Sequence, residues 1–382
     1  MPLDSGAQVQ NSIYLAGGAE WPISAADWET RARETLEPGP FGYIAGGAGS
    51  EATMHANLEA FERRRLRPRM LAGNVERDLS VEVLGLRSPV PFLLAPIGVL
   101  SIAHAEAELG VARAARATGV PMVLSSAASS SLEDVAAELG DSPRWYQLYW
   151  FDDRELVGSI VDRAGAAGYG AIVITLDTLM LGWRPRDLGN GYLPFLKGEG
   201  LAQFFSDPIF RSWLDEAPED DVLTASVRAL SVFSNLGLTW ADLAWLRNRT
   251  DLPILVKGVL TAEDARIALK HGVDGIVVSN HGGRQVDGSV ATLDALVEVR
   301  DAVGGDTPLL MDSGIRTGSD VLKAVALGAD AVMLGRPYAY GLAVGGAAGV
   351  EAVIRQLAAE IDITLALIGA QSVRELDRSA VA

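Results

Sequence analysis

Eight short, mostly apolar runs separated by amphipathic segments constrain the fold of this chain more than any other feature. Such runs are typical of strands buried on both faces of a sheet. They occupy residues 91–95, 121–125, 144–149, 171–176, 253–257, 275–279, 308–312 and 331–334. Between them, residues 262–270 have helical spacing after Thr261 and Asp264, a possible capping box. Eight strands alternating with helices most simply close into a TIM (β/α)8 barrel, an α/β fold, although an open doubly wound sheet gives a similar local pattern.

The chain length and the absence of a Pro/Ser-rich linker indicate how the chain is divided. Single barrels of this class commonly reach 382 residues, so we expect one domain over 1–382. Within this domain, an N-terminal cap segment over residues 1–90 is expected to precede a barrel over residues 91–365. Residues 19–90 are expected to form a helical cap with a short β-hairpin around 79–86.

The interval 188–237, between the fourth and fifth runs, is too long for a simple strand-to-helix connection and predicts a lid loop over the barrel. Part of it is strongly apolar, through Leu201, Phe204, Phe205, Ile209, Phe210, Trp213 and Leu214. Membrane contact is one interpretation of such a segment. The adjacent acidic residues favour a lid instead, because an anionic bilayer would repel Asp215, Glu216, Glu219, Asp220 and Asp221.

The charge and cysteine content exclude several classes of partner and site. A formal charge of -17 and a pI near 4.7 argue against nucleic acid and anionic membranes as partners. Without cysteine, disulfides, thiolate metal sites and cysteine nucleophiles are excluded, and we predict no metal site. Residues 1–18 lack the basic and apolar regions of a signal peptide, so a cytoplasmic location is expected.

One short loop combines an imidazole, a guanidinium and a pair of glycines. This loop, residues 279–285 (Ser-Asn-His-Gly-Gly-Arg-Gln), ends the sixth run and places His281 at the carboxyl end of a predicted strand. In a (β/α)8 barrel this end carries the catalytic groups. We therefore expect His281 to take part in chemistry, and the other histidines, His55, His104 and His271, to be structural.

Two turns, each with glycine and arginine, follow the last two runs. They are 312–318 (Asp-Ser-Gly-Ile-Arg-Thr-Gly) and 334–337 (Leu-Gly-Arg-Pro). Glycine lets backbone N–H groups approach an anion, and a helix start near Ser319 would add positive potential. On successive barrel strands, the two turns predict a site for a phosphorylated ligand.

Together these motifs resemble the FMN-dependent α-hydroxy acid oxidases and dehydrogenases, a family that includes glycolate oxidase, lactate oxidase and lactate 2-monooxygenase. The resemblance runs from about Trp28 to Asp377. It rests on Phe41-Gly-Tyr-Ile-Ala-Gly-Gly-Ala48, Gln147-Leu-Tyr149, Thr175-Leu-Asp177, Leu255-Val-Lys-Gly258, the 279–285 loop, Asp312-Ser-Gly-Ile-Arg316 and Leu334-Gly-Arg-Pro337, in this order. It implies FMN as cofactor, a small 2-hydroxy acid and O2 as substrates, and a homotetramer.

The resemblance also implies roles for individual residues. His281 would be the active-site base, paired with Asp177, whose carboxylate would orient the imidazole and stabilise its protonated form. Arg184 and Arg284 would clamp the substrate carboxylate, a task that suits the bidentate guanidinium group.

Further implied roles concern tyrosines and the cofactor. Tyr43 would be another carboxylate ligand, and Tyr149 would hydrogen-bond the substrate hydroxyl. Lys257 ends a buried run, where an ammonium needs a negative partner, and the resemblance implies that this partner is the N1/O2 edge of FMN. The isoalloxazine ring would contact Ala95, Pro96, Ile97, Ser125, Gln147 and Thr175. The ribityl chain and phosphate would be held by Ser279, Asp312, Gly314, Arg316, Gly335 and Arg336.

The implied reaction oxidises an L-2-hydroxy acid to a 2-oxo acid while His281 takes a proton. Removal of the hydroxyl proton with hydride transfer and removal of the α-proton both fit the residues. Within the family, residues 183–187, 194–196, 207–208 and the long insertion most resemble lactate 2-monooxygenase, in which the oxo acid stays trapped and nascent peroxide decarboxylates it. An oxidase that releases the oxo acid and H2O2 is the alternative.

Three positions depart from the pattern of plant glycolate oxidases. Ala127 stands in place of a large aromatic residue, Gly98 is small beside the expected flavin N5, and Ser313 replaces a glycine. A pocket widened in this way would admit lactate, a longer aliphatic hydroxy acid or an aromatic one such as mandelate.

Two other functions are weaker alternatives. A flavin isomerase or another FMN barrel would explain the phosphate turns but not the arginine pair. A non-catalytic phosphate-binding barrel is a weaker alternative still.

Overall fold

Eight parallel strands close into a barrel in the computed structural model, which describes residues 3–73 and 75–382. An antiparallel hairpin, β1 (Val81–Val83) and β2 (Leu86–Ser88), precedes it. The barrel strands are β3 (Phe92–Leu94), β4 (Met122–Ser125), β5 (Arg144–Tyr149), β6 (Ile172–Thr175), β7 (Ile254–Val259), β8 (Gly275–Val278), β9 (Leu309–Met311) and β10 (Ala331–Leu334). Because β10 pairs with β3, the sheet has no open edge. The predicted (β/α)8 barrel is confirmed, and the open sheet is excluded.

The strand boundaries follow the sequence closely. Four predicted runs begin with proline, and in each the strand starts one residue later, because proline has no N–H for the ladder. β7 differs, since it continues to Val259 through a bulge at Gly258, where φ is 108°. The bulge was not predicted, and it shapes the candidate site.

Helices fill the connections between strands. They are α1 (Gly6–Leu15), α2 (Ala25–Thr35), α3 (Pro38–Ala45), α4 (Ala52–Arg63), α5 (Ala107–Thr118), α6 (Leu132–Leu139), α7 (Arg154–Ala166), α8 (Pro185–Gly189), α9 (Ala202–Phe205), α10 (Pro208–Arg211), α11 (Val222–Phe233), α12 (Leu243–Arg247), α13 (Ala262–Lys270), α14 (Thr292–Val303), α15 (Gly318–Ala326) and α16 (Arg336–Ile368). α13 has its predicted bounds, and the Thr261 side chain accepts the N–H of Asp264. The Asp264 carboxylate accepts the Thr261 hydroxyl, so one bond of the predicted capping box forms as expected.

The helices α1 to α4 and the hairpin form the predicted cap. α1 and α2 pack on α16, a 33-residue helix that kinks at Gly345 and Gly346. At the kink the carboxylate of Glu106 accepts the N–H of Ala347 at 2.6 Å. By length and composition α16 could span a membrane, but it packs against α1, α2, α5 and α15 as a core helix does. The chain after α16 returns to the cap, where Ser372 and Val381 form isolated bridges with Asp78 and Leu66.

The predicted long insertion follows β6, and much of it is helical rather than irregular. Its aromatic residues pack around Phe233, whose ring lies 5.3 Å from Phe151 and 6.2 Å from Phe204. Asp207, which is fully buried, caps α10 and pairs with Arg163 of α7 at 2.9 Å. The buried apolar residues of this insertion, such as Leu201, Phe204 and Phe210, belong to the same core as the barrel, which favours the lid interpretation over membrane contact.

Asp207→Asn should loosen the insertion, because it removes a buried charge opposite Arg163. The expected loss of stability is about 3 kcal/mol, at the low end for a broken buried pair because Arg163 keeps Glu133. The measurement is thermal unfolding with limited proteolysis of residues 201–233. The control is Glu219→Gln, which breaks an exposed pair with Arg211 in the same insertion and should leave the unfolding temperature nearly unchanged. Equal losses in both variants would contradict this anchoring role.

Candidate active site

A cavity at the carboxyl ends of the barrel strands collects most of the predicted site residues. Its void, including the open mouth, is about 1110 Å³. The predicted residues in its lining are Tyr43, Ala95, Pro96, Ile97, Tyr149, Arg184, Lys257, His281, Arg284, Asp312, Gly314, Arg316, Gly335 and Arg336. The predicted residues outside the lining, but on the same strand ends and loops, are Ser125, Gln147, Thr175, Asp177 and Ser279. His281 is the histidine in this lining, and His55, His104 and His271 are not part of it.

The imidazole of His281 is held by a carboxylate. Its Nδ1 lies 2.8 Å from Oδ1 of Asp177 and 3.1 Å from the hydroxyl of Thr178. Burial lowers the pKa of His281, against the attraction of Asp177, so the imidazole is neutral at pH 7. Because the carboxylate accepts from Nδ1–H, the lone pair of the neutral ring is on Nε2. His281 is therefore ready to accept a proton.

The loop that carries His281 is fixed by backbone geometry and by asparagines. His281 has φ 58°, and the two glycines after it also have positive φ. The side chain of Asn280 exchanges hydrogen bonds with Asn57 of α4 and accepts the N–H of Gly283. A Cβ on Gly283 would lie 2.7 Å from the backbone N of Met54, so only glycine lets the loop pack this closely on α4.

Lys257 lies between two carboxylates. Its Nζ is 2.8 Å from the hydroxyl of Ser279, 3.4 Å from Oδ2 of Asp312 and 3.7 Å from Oδ2 of Asp177. Burial alone would lower the pKa of Lys257, but Asp177 and Asp312 raise it above its usual range. Burial alone would raise the pKa of Asp177, but Lys257 and His281 hold it well below its usual range. Both groups therefore remain charged.

The bulge in β7 lets Asp177 reach these partners. A Cβ on Gly258 would lie 2.8 Å from Cβ of Asp177 and 2.9 Å from its backbone N. No side chain fits in that space, and φ 108° is a conformation that suits glycine alone. Gly258 therefore sets the position of the carboxylate that orients His281.

Two arginines meet at the mouth of the cavity. Arg184 donates from Nε to the carbonyl of Arg284 at 3.1 Å and from Nη2 to the side chain of Gln285 at 2.9 Å. Arg284 donates to the carbonyls of Tyr43 and Gly46, and its guanidinium lies 5.0 Å from the centre of the Tyr43 ring. Burial, with repulsion from Arg184, lowers the pKa of Arg284 to about 9. An anion between the two guanidinium groups would relieve this repulsion.

Tyr149 lines the cavity as a neutral phenol. Burial raises the pKa of Tyr149 to about 12, against the opposing charge of Lys257. Its ring packs 5.3 Å from that of Phe233. A phenol held in this way donates a hydrogen bond without losing its proton at neutral pH.

A buried side-chain amide beside the cavity, that of Gln147, fits a flavin ring. The side chain of Gln147 is fully buried, and its Nε2 has no hydrogen-bond partner in the part of the chain that the structure describes. Its Oε1 accepts from the Ser125 hydroxyl at 3.0 Å, which fixes the direction of the unpartnered N–H groups. A buried donor of this kind requires an acceptor, and flavin carbonyl and nitrogen atoms supply one.

One part of the cavity lining suits a phosphate. Arg316, Gly335 and Arg336 line it, and α16 begins there with N–H groups that lack intrahelical acceptors. α15 begins at Gly318, close to the predicted start, and its third residue, Asp320, places a carboxylate there that accepts the N–H groups of Arg316 and Thr317. The positive potential predicted for a helix start near Ser319 is thus offset by the helix's own capping residue.

Arg336 also connects the cap to the barrel. Its guanidinium donates to the carbonyls of Ile44, Gly46 and Gly282 at 2.8 to 3.1 Å. Burial and repulsion from Arg316 lower the pKa of Arg336 to about 10. Although the whole chain has a formal charge of -17, four arginines and one lysine line this cavity. The cavity therefore favours anionic ligands.

Ser313, which stands where a glycine was expected, has φ 78°. Its hydroxyl donates to Asp312 at 2.7 Å and accepts the N–H of Gly282 at 2.9 Å. These bonds offset the strain of a left-handed serine and tie the phosphate turn to the His281 loop.

The small residues Gly98 and Ala127 do not simply widen the cavity as expected. A Cβ on Gly98 would lie 2.7 Å from Cβ of Ala127, so the two residues are already in contact. Gly200 of the insertion packs on the same place, since a Cβ there would lie 2.8 Å from the carbonyl of Ala127. The small residues thus make room for the insertion.

Besides Gly258, sequence reasoning missed several contributors to the site. Thr178 and Gln285 hold His281 and Arg184, while Leu181, Phe195 and Phe233 line the cavity. Gln285 and Phe195 lie within motifs quoted for the resemblance, but no role was predicted for them. The other three had no sequence signal, because single apolar or hydroxyl residues are common everywhere.

Gly258→Ala should destabilise the protein by about 2 kcal/mol or more, through clash and strain together. The displaced Asp177 should also leave His281 less well oriented. The control is Gly272→Ala, where φ is 77° but no atom lies within 4 Å of the added Cβ, so only strain is introduced. Thermal unfolding of both variants separates the two effects. Equal losses in both would show that contact with Asp177 is unimportant.

Comparisons with known proteins agree with this geometry. The family model "FMN-dependent dehydrogenase" matches residues 32–382. The L-lactate oxidase of Lysinibacillus sphaericus is 42% identical over 95% of this chain and 93% of its own, and the glycolate oxidase of Spinacia oleracea is 42% identical over 93% and 94%. A crystal structure of mandelate oxidase with (S)-4-hydroxymandelic acid has a TM-score of 0.84 at 39% identity, covering 94% of this chain and 99% of that one. The chain therefore belongs to the FMN-dependent dehydrogenase family, as an FMN-dependent α-hydroxy acid oxidoreductase.

Proposed function

We propose that the protein oxidises a small L-2-hydroxy acid to the 2-oxo acid with O2 as electron acceptor. The observation that carries this proposal is one cavity in which a neutral, carboxylate-held imidazole and a pair of arginines both face the space beside the flavin-binding residues. FMN bound there would supply the two-electron redox chemistry that connects the substrate to O2.

The chain's own groups bind and orient the substrate in this proposal. Arg184 and Arg284 take its carboxylate, with Tyr43 beside them. Tyr149 donates to the substrate hydroxyl, and His281 accepts the proton at Nε2. Asp177 stabilises the resulting imidazolium, because it carries a negative charge 2.8 Å from Nδ1.

The proposed fate of the product is retention and decarboxylation, as in lactate 2-monooxygenase: L-lactate + O2 gives acetate + CO2 + H2O. Support comes from the insertion, whose residues Phe195 and Phe233 form part of the cavity wall. H2O2 formed beside a trapped oxo acid adds to its carbonyl carbon; the O–O and C–C bonds then break, which releases CO2 and water and leaves acetate. The alternative is an oxidase that releases the oxo acid and H2O2, and it is favoured by the L-lactate oxidase relatives at 42% and 43% identity.

His281→Gln should lower the rate of anaerobic flavin reduction by about a thousandfold or more, because the general base is lost. FMN content should stay near that of the wild type, since His281 holds no predicted flavin contact. The measurement is bleaching of the bound flavin by L-lactate and by L-mandelate. An unchanged rate would refute the role of His281. Wild-type protein that binds FMN but is bleached by no 2-hydroxy acid would favour the isomerase reading instead.

The products of aerobic turnover test the proposed fate. With L-lactate we expect acetate and CO2 and little free H2O2, since the oxo acid is held in the cavity while O2 reacts. Pyruvate with an equal amount of H2O2 would assign the oxidase reaction. The control is turnover with added catalase, which excludes decarboxylation of released pyruvate by H2O2 in solution.

A further inference from the structure

The insertion contributes a rigid part of the cavity wall. Phe195 and Phe233 line the cavity with their rings 5.7 Å apart. Phe233 is fixed by contacts with Tyr149, Phe151 and Phe204, all within 6.2 Å between ring centres. Phe195 has fewer such contacts, because it lies on a short turn, Pro194–Lys197. Its position depends on how that turn is attached.

The attachment lies just after the turn, where exposure changes. Leu188 and Leu196 are exposed large apolar residues, at 55% and 43%. At residues 200–204 the insertion is mostly buried, with Leu201, Gln203 and Phe204 fully so. Glu199 therefore lies between the Phe195 turn and this buried segment.

A directed chain of hydrogen bonds connects this junction to the barrel. The N–H of Gly200 donates to the hydroxyl of Ser129 at 3.1 Å, which lies 2.7 Å from the hydroxyl of Ser101. Ser101 in turn donates to the carboxylate of Glu199. Each hydroxyl accepts one bond and donates the next, so the last group must be an acceptor. A carboxylate, which is acceptor-only and charged, strengthens all three bonds.

The two serines belong to a fixed support. Ser101 lies between β3 and α5, and Ser129 lies between β4 and α6. The buried carboxylate of Glu108 accepts the N–H groups of Leu100 and Ser129, at 3.2 and 3.1 Å, and so joins both connections. The same connections carry Gly98 and Ala127 of the cavity lining. Glu199, just after the Phe195 turn, therefore joins that turn to both connections through Ser101 and Ser129.

We propose that Glu199 is a positioning residue that retains the product: through Ser101 and Ser129 it holds the Phe195 turn over the cavity. This inference rests on the proposed function, because retention matters only if an oxo acid is formed there. Loss of the carboxylate releases the turn, so that the oxo acid leaves before H2O2 reacts with it. The chemistry at His281 is unaffected, since Glu199 contacts neither His281 nor Asp177.

The test compares Glu199→Ala and Glu199→Gln with Glu216→Ala, an exposed residue of the same insertion. In Glu199→Ala, pyruvate should leave the flavin-reduced enzyme about tenfold faster or more, as expected for loss of a charge-assisted bond. The fraction of H2O2 among the products should rise. Anaerobic flavin reduction at saturating substrate should change less than about twofold. Glu199→Gln should lie between Glu199→Ala and wild type, because an amide oxygen still accepts.

Two further measurements keep the outcomes distinct. Hydrogen exchange should accelerate at residues 194–200 in Glu199→Ala and remain unchanged in Glu216→Ala, whether or not lactate is a substrate. Ser101→Ala should release pyruvate as fast as Glu199→Ala, and the double variant should release it no faster than either, since all three disrupt one chain of hydrogen bonds.

Rates of pyruvate release and hydrogen exchange in Glu199→Ala equal to those of Glu216→Ala would overturn the role of Glu199. Wild-type flavin that no hydroxy acid bleaches would instead overturn the proposed function.

Discussion

One buried ammonium group, that of Lys257, determines the arrangement of the whole site. It lies between the carboxylates of Asp177 and Asp312, which follow β6 and β9, and it donates to Ser279 after β8. Isolated, each of these charges would cost several kcal/mol in the barrel interior, so the three persist only together. Through Asp177 the same charge holds His281 in one orientation. The proposed base and the residues proposed to bind flavin thus depend on a single cation.

The barrel could be predicted from the sequence because each buried strand leaves a local trace. Apolar runs mark the strands, and prolines such as Pro253 mark where a ladder can begin. The sequence did not predict the bulge at Gly258, because glycine is common at strand ends. Glycine is required at this position only by the contact with Asp177, which is distant in sequence. The helices α8, α9 and α10 of the insertion were likewise missed, because each has only four or five residues, too few to show a helical period.

For the site, prediction succeeded where chemistry and position coincide in one motif. The 279–285 loop and the two arginine turns lie in the cavity as expected. The predicted roles of the individual residues remain predictions that the geometry supports. No role could be predicted for Phe195 and Glu199 from the sequence. The function of an aromatic or acidic residue in a long insertion depends on its neighbours in space, which the sequence does not reveal. The small residues Gly98 and Ala127 were expected to widen the cavity, but the packing of Gly200 on Ala127 indicates that they also make room for the insertion.

The packing of α1 and α2 on α16 has a consequence for biosynthesis. The first helices of the chain find their partner only after residue 336 has been made, and Arg336 joins the cap carbonyls to the His281 loop only then. Until α16 has been made, α1 and α2 lack the helix that they pack on. The cap can therefore close over a cofactor only after all eight barrel strands have been synthesised, so flavin capture follows synthesis of the barrel.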